Sequence, residues 1–271
     1  MTTLNKDTTL CISLAGRPSN IGTRFHNYLY GELGLNFAYK AFTTRDLEGA
    51  IRGVRALGIR GCSVSMPFKE QVIPLVDELT ASAGAIDSVN TIVNDGGHLT
   101  ACNTDYEATA ALIARHGLDP ASPVLLRGSG GMAKAVVAAF RDTGFGDLTV
   151  LARNAAAGRA LAGRYGYRWV PDVPPAGAGI IVNVTPLGMN GPEAAALAFP
   201  RAHIEAARAV FDVVASPSET PLVRAARAAG KPVITGAEVI ALQAARQFEL
   251  YTGVSITADQ VERASAYSRE T

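Results

Sequence analysis

The residues Val124-Leu125-Leu126-Arg127 run without interruption into Gly128-Ser129-Gly130-Gly131-Met132-Ala133, and an alanine- and valine-rich stretch follows. A strand that turns through glycine directly into a helix aims unpaired backbone N–H groups and the positive helix end at one spot, which suits an anion such as a pyrophosphate. Glycine lets the anion approach the backbone, and Ala133 at the third small position lets helix and strand pack closely. Tight strand-to-helix turns also take glycine for geometry alone, so the surroundings have to decide.

Those surroundings alternate strands and helices. Ahead of the loop, strand-like residues 10–15, 37–42 and 62–66 are separated by helical stretches at 21–33 and 45–57, the second with Leu47, Ile51, Val54 and Leu57 at helical spacing. Strands at 89–93 and 98–101 flank Asn94-Asp95-Gly96-Gly97, residues that tolerate a tight turn, and predict a hairpin. The breakers Asp119-Pro120-Ala121-Ser122-Pro123 introduce a second series, with strands at 124–127, 148–152, 180–184, 209–213 and 232–235 and a long helix over about 238–251. The pattern is that of an α/β chain with mostly parallel strands, whose second half is a nucleotide-binding type of domain. At 271 residues there is room for two compact domains.

An apolar share of 48% with 18% charged residues is that of an ordinary soluble protein. The net charge of +1 and the lack of basic or acidic tracts argue against nucleic-acid and membrane partners and for a small molecule. The amino terminus has no apolar signal region, so a cytoplasmic location is expected. Cys11, Cys62 and Cys102 lie in strand-like segments without metal-ligand spacing and the four histidines are scattered, so no metal is expected.

Roughly 20 residues past the glycine loop, an NAD-selecting site would carry Asp or Glu for the ribose 2′-hydroxyl. This chain has Leu151-Ala152-Arg153-Asn154, with Arg159 further on. Guanidinium groups suit a 2′-phosphate, as counter-charge and as planar surfaces for adenine, so the expected cofactor is NADP. The missing acid also argues against a methyltransferase; the bland alternative is that both arginines are solvated. Asn183-Val184-Thr185-Pro186-Leu187-Gly188-Met189 ends another strand, where Thr185 and Met189 are placed to border the nicotinamide. Val213 and Gly236, at the ends of two later strands, complete the expected cofactor set of Gly128 to Ala133, Arg153, Asn154 and Arg159.

Two ionisable residues follow strands of the first half. Lys69, in Cys62-Ser63-Val64-Ser65-Met66-Pro67-Phe68-Lys69, stands where a strand is expected to hand over to a helix. Asp105, in Asn103-Thr104-Asp105-Tyr106, opens another helix. Taken singly, the first is an ordinary solvated lysine and the second a helix-start acid. Together they could serve hydride transfer from a secondary alcohol, which needs a group to take the hydroxyl proton and return it. The sequence leaves open which of them is the formal base.

Several separated motifs together resemble the shikimate dehydrogenase family over nearly the whole chain. Ser63-Val64-Ser65-Met66-Pro67-Phe68-Lys69 is similar to N-V-T-x-P-x-K, Val89-Asn90-Thr91 to V-N-T, and Asn103-Thr104-Asp105 to N-T-D. Gly128-Ser129-Gly130-Gly131 is similar to G-x-G-G and Ala152-Arg153-Asn154 to N-R-T. Asn183 to Met189, Thr220-Pro221-Leu222 and Gln243-Ala244 match N-x-T-P-x-G-M, T-P-L and the Q-A of the last helix. The resemblance implies catalytic Lys69 and Asp105, with Ser65, Asn90 and Gln243 binding substrate. It implies a substrate domain of residues 1–105 plus 238–271 and a Rossmann NADP domain of residues 106–237, separated by a cleft. The implied setting is aromatic amino acid biosynthesis, by a monomer or homodimer.

The resemblance breaks around the substrate. The family's S-x-S, which holds the substrate carboxylate, is absent from Gly16-Arg17-Pro18-Ser19-Asn20-Ile21-Gly22-Thr23-Arg24, leaving Ser19, Thr23 and Arg24 as replacements. The tyrosine of the family's Y-x-P is Ala215 here. The expected activity is therefore NADP-dependent interconversion of 3-dehydroshikimate and shikimate, or of a related cyclic hydroxy acid such as quinate. The competing reading is a non-catalytic dinucleotide-binding metabolite sensor.

Overall fold

The structure, a computed structural model, describes residues 4–175 and 177–270. It divides into two compact units: the chain up to Thr104 together with Ala241 onward, and Asp105–Ile240. No helix among the described residues is long and apolar enough to cross a membrane.

The first unit opens with β1 (Thr9–Leu14), α1 (Ile21–Glu32), β2 (Phe37–Phe42), α2 (Leu47–Ala56) and β3 (Gly61–Val64). After a single 3-10 turn at Ile73–Leu75 come β4 (Glu78–Leu79), the one-turn α3 (Ala81–Gly84), β5 (Thr91–Asp95) and β6 (His98–Cys102). The sheet order is β2-β1-β3-β5-β6-β4. It is mixed: β1 pairs parallel with β2 and β3, whereas β5 runs antiparallel to β3 and β6 as the expected hairpin. Asn94 ties that hairpin down, its Oδ1 accepting from Gly97 N–H (2.8 Å) and its Nδ2 donating to the Val54 carbonyl of α2 (2.9 Å).

The second unit runs α4 (Thr104–Arg115), β7 (Val124–Arg127), α5 (Gly131–Asp142), β8 (Leu148–Leu151), α6 (Ala155–Arg164), β9 (Arg168–Val170) and β10 (Ile180–Asn183). It continues with α7 (Arg201–Ala206), β11 (Ala209–Asp212), α8 (Pro221–Ala228) and β12 (Val233–Thr235). Its sheet, ordered β12-β11-β10-β7-β8-β9, is parallel throughout. A parallel sheet covered on both faces needs apolar residues on both, and Val124, Leu125, Leu126, Ile180, Ile181 and Val182 are all buried. The strand order reverses between β7 and β10, the point at which such sheets open a ligand crevice beyond their strand ends.

From β12 the chain enters α9 (Gly236–Thr252), whose residues from Ala241 belong to the first unit, and then α10 (Ala258–Arg269). On the first sheet α9 buries Ala244, Ala245, Phe248 and Tyr251 against Phe25, Leu29 and Tyr39. Each fully buried large side chain there contributes roughly 1.5–3 kcal/mol. Gly61 sets how close α9 lies, since a Cβ there would fall 2.4 Å from the Tyr251 ring. Because Tyr251 is itself fully enclosed, Gly61→Ala is expected to destabilise by about 1–3 kcal/mol through overpacking. Thermal unfolding checks this: a melting temperature equal to that of the wild type would show that the ring yields freely.

The expected helix directly after β3 does not form. β3 stops at Val64, the Phe68 N–H turns back to the Ser65 carbonyl (2.9 Å), and Pro67 has no N–H to continue a ladder. Lys69 therefore sits in a run of turns rather than at a helix start.

Candidate active site

In the second unit a pocket of about 690 Å³ opens where the strand order reverses. Gly128, Ser129 and Gly130 border it from the turn after β7, and Thr185 and Pro186 from the loop after β10. Gly128 has φ 131°, and a Cβ there would meet the Val184 side chain at 2.7 Å and its carbonyl oxygen at 2.9 Å, so only glycine fits. At Gly130 and Gly131 an added Cβ would meet nothing within 4 Å, and α5 has no side-chain cap at Gly130. The first-turn N–H groups of α5 thus face an open cradle suited to a phosphate. Met132 and the fully buried Ala133 lie in that first turn but do not line the pocket.

Arg153 and Asn154 line the same pocket after β8. Asn154 spends its Oδ1 on the Ala157 N–H (3.1 Å), capping α6. Arg159 does not reach the lining; its guanidinium lies 4.5 Å from the centre of the Trp169 ring. Trp169 backs the pocket wall, donating from Nε1 to the Ala152 carbonyl (3.1 Å) and filling the space that a Cβ at Gly158 would occupy. Met189 is 44% exposed and outside the lining. Val213 and Gly236 also lie outside it and press together, because a Cβ on Gly236 would fall 2.3 Å from the Val213 carbonyl oxygen. Two charged residues that the sequence reading did not single out, Arg127 and Asp172, do line the pocket.

Thr185 is held from behind. Its N–H and hydroxyl donate to Asn183 Oδ1 (3.1 and 2.6 Å), and Asn183 Nδ2 donates to Asp212 Oδ1 (3.0 Å). Asp212 also accepts from the Val214 N–H (3.1 Å) and the Thr220 hydroxyl (2.6 Å). It is fully buried, and burial pushes its carboxyl above the ordinary value although these three donors pull it down.

In the first unit the Lys69 loop is stitched to the end of β1 and to the segment that leads into β5. The Gly16 N–H bonds the Met66 carbonyl (2.8 Å), the Ser65 N–H bonds the Leu14 carbonyl (2.9 Å), and the Val89 N–H bonds the Lys69 carbonyl (2.8 Å). Lys69 is thereby set beside Asn90. The Asn90 Oδ1 accepts from the Thr104 N–H and the Thr91 hydroxyl, both at 2.8 Å. A backbone N–H can only donate, so this amide cannot be flipped, and its Nδ2 is directed away from Thr104. The Thr104 hydroxyl reaches Gln243 Oε1 at 3.3 Å, so the residue just before Asp105 anchors both amides. Asp105 itself is half-buried in the first turn of α4.

Behind Asn90 lies a residue missed in the sequence. Gln247 donates from Nε2 to Thr91 Oγ1 (2.9 Å) and accepts at Oε1 from the Ser63 hydroxyl (2.9 Å), which in turn accepts from the Tyr39 hydroxyl (2.8 Å). His26 stacks on Tyr39 with ring centres 4.4 Å apart, and complete burial lowers its pKa to about 3, so it is a neutral packing residue.

Of the expected substrate ligands, Ser19 and Ser65 are exposed, and the Thr23 Oγ1 is buried without a hydrogen-bond partner. Arg24 is committed elsewhere: its Nε donates to the Tyr267 carbonyl (3.1 Å), its guanidinium covers the Tyr267 ring, and Glu270 lies 3.8 Å away.

Residues 20–92 match the family model of the shikimate dehydrogenase substrate binding domain. The chain is 57% identical over 267 residues, 98% of either chain, to a shikimate dehydrogenase-like protein of Haemophilus influenzae. It is similar to the solved shikimate 5-dehydrogenase of Thermus thermophilus in complex with NADP(H) and shikimate, with a TM-score of 0.86 and 30% identity over 96% of this chain and 99% of that one. A quinate dehydrogenase of Corynebacterium glutamicum in complex with NAD gives a TM-score of 0.85 at 29% identity over 96% of this chain and 98% of the other.

Proposed function

We propose, because the chain belongs to the shikimate dehydrogenase family, that it interconverts shikimate and 3-dehydroshikimate, or the corresponding pair of a closely related cyclic hydroxy acid such as quinate. It is an NADP-dependent oxidoreductase of the alcohol type. The observation that supports the substrate assignment most is the double anchoring by Thr104. With the oxygens of Asn90 and Gln243 engaged there, both amides keep their N–H groups for ring hydroxyls, immediately before Asp105 in the chain.

Bound NADP would supply the hydride exchange at the carbinol carbon. Gly128, Ser129 and Gly130 fit its pyrophosphate, and Arg153 its 2′-phosphate. As substrate is oxidised to the ketone, the hydroxyl proton passes to Lys69, with Asp105 orienting the ammonium and a neighbouring hydroxyl. In reduction Lys69 returns the proton to the alkoxide oxygen. Asn90 and Gln243 donate to ring hydroxyls, while Ser65, Ser19 and Thr23 serve the carboxylate end. On this reading residues 1–105 with 238–271 carry the substrate and residues 106–237 the cofactor. The three buried free thiols fit a reducing, cytoplasmic setting, and a monomer or homodimer suffices for the chemistry.

The purified chain tests this when incubated with shikimate or quinate and either NADP⁺ or NAD⁺ while nicotinamide absorbance is followed. Turnover of one of these acids, faster with NADP⁺, is expected. Binding of NADPH without turnover of either acid, in both directions, would refute the proposal.

A further inference from the structure

We propose that Arg127 is a second guanidinium for the 2′-phosphate of the cofactor, acting with Arg153 to set the preference for NADP over NAD. The inference rests on the NADP assignment made above and adds to it a residue of the strand itself.

Arg127 is the last residue of β7, directly ahead of Gly128, in a strand whose other members, Val124, Leu125 and Leu126, are buried. A half-buried arginine at the carboxyl end of a central strand is desolvated without gain unless something holds its charge. One end is held: Nη1 donates to the Ala198 carbonyl. The remaining N–H groups form an edge of the guanidinium fork, the geometry that grips phosphate in two places.

Arg153 lines the same pocket, and among the described residues neither arginine has a carboxylate within ion-pairing distance. The two cations sense each other. Burial, and after it the charge on Arg153, lower the proton affinity of Arg127, while Glu193 to a lesser degree supports its charge. Asp172 is the one carboxylate in the lining, so the pocket keeps two guanidinium groups against a single acid. Like charges gathered at one cavity are mutually destabilising, and a dianionic phosphate placed between them reverses the sign of that interaction. A neutral ribose hydroxyl would not.

Calorimetric titration of the full chain with adenosine 2′,5′-bisphosphate and with 5′-AMP, at fixed ionic strength, tests the proposal on wild type, Arg127→Leu and Arg153→Leu. Arg127→Leu is expected to weaken bisphosphate binding roughly 10–100-fold and to leave 5′-AMP binding nearly unchanged. Unaltered bisphosphate affinity would overturn the proposal, as would a parallel loss for both ligands, which would make Arg127 an anchor of the Ala198 loop or a pyrophosphate ligand. Should leucine prevent folding, Arg127→Lys decides: a several-fold loss of bisphosphate selectivity supports the role, and retained selectivity refutes it. If only Arg153→Leu loses the selectivity, the cofactor assignment stands and Arg127 has no part in it. A wild type that binds both ligands equally overturns the NADP assignment, and this inference with it.

Discussion

Lys69→Ala and Asp105→Asn are each expected to lower kcat by roughly 10²–10⁴-fold, the usual contribution of a positioned proton-transfer group. Neither change should unfold the protein. The Lys69 loop is pinned through the Lys69 carbonyl, which alanine retains, and the side chain is only half-buried. Substitutions of that kind usually shift stability by no more than about 0.5 kcal/mol. Asp105 lies in the first turn of α4, where an acid gains roughly 0.3–1 kcal/mol from the helix dipole, so asparagine there costs little. Steady-state kinetics beside a melting curve separates the outcomes. A rate near that of the wild type in either variant removes that residue from the proton path.

The largest expected effect on stability belongs to Asp212→Ala. Alanine removes the acceptor of three buried donors: the Thr220 hydroxyl, the Val214 N–H and one N–H of Asn183 Nδ2, whose other N–H keeps the Leu187 carbonyl. At about 1–3 kcal/mol for each unsatisfied group the loss is roughly 3 kcal/mol or more, and at about 2–4 °C per kcal/mol the melting temperature should fall by on the order of 10 °C. Asn183 also holds Thr185, so the same substitution loosens one wall of the pocket. The pH dependence has a definite sign. Unfolded, the carboxyl titrates near its ordinary 3.8, and folded it titrates higher because burial disfavours the anion. Between those two values the folded state binds more protons, so the stability from this group is fully present below 3.8 and declines as pH rises to the folded value. Denaturant titrations over that window should show this downward slope in the wild type and a flatter line in Asp212→Ala. Equal slopes would mean that another group dominates.

The alternation of strands and helices was legible because both sheets are built from short apolar runs, and residues 37–42 and 124–127 form strands over those bounds. Strands at 62–66, 148–152, 180–184 and 209–213 end one or two residues earlier than the apolar pattern does, although one last bond to the neighbouring strand still forms past each end, as from the Ser65 N–H to the Leu14 carbonyl. The β4 strand has two residues and β9 three, too few for any period to show. In the pocket, Arg153 was visible from its place after a strand, whereas Arg127 looked like part of the strand and is charged only at its tip. Arg159 has helical spacing consistent with a phosphate contact, but nothing in that spacing reveals a tryptophan ten residues later that takes its guanidinium. Gln247 was hidden for a different reason: its partners Ser63 and Thr91 are more than 150 positions away, and only the packing of α9 on the first sheet brings them together.

The chain holds one tryptophan, Trp169, and it sits behind the Ala152 backbone that leads into Arg153. Its indole is fixed by one hydrogen bond and roofed by a cation, a setting in which emission intensity responds to small shifts of either neighbour. The protein therefore carries a built-in fluorophore one residue behind the nucleotide pocket, and adenosine ligands are expected to change its intrinsic emission.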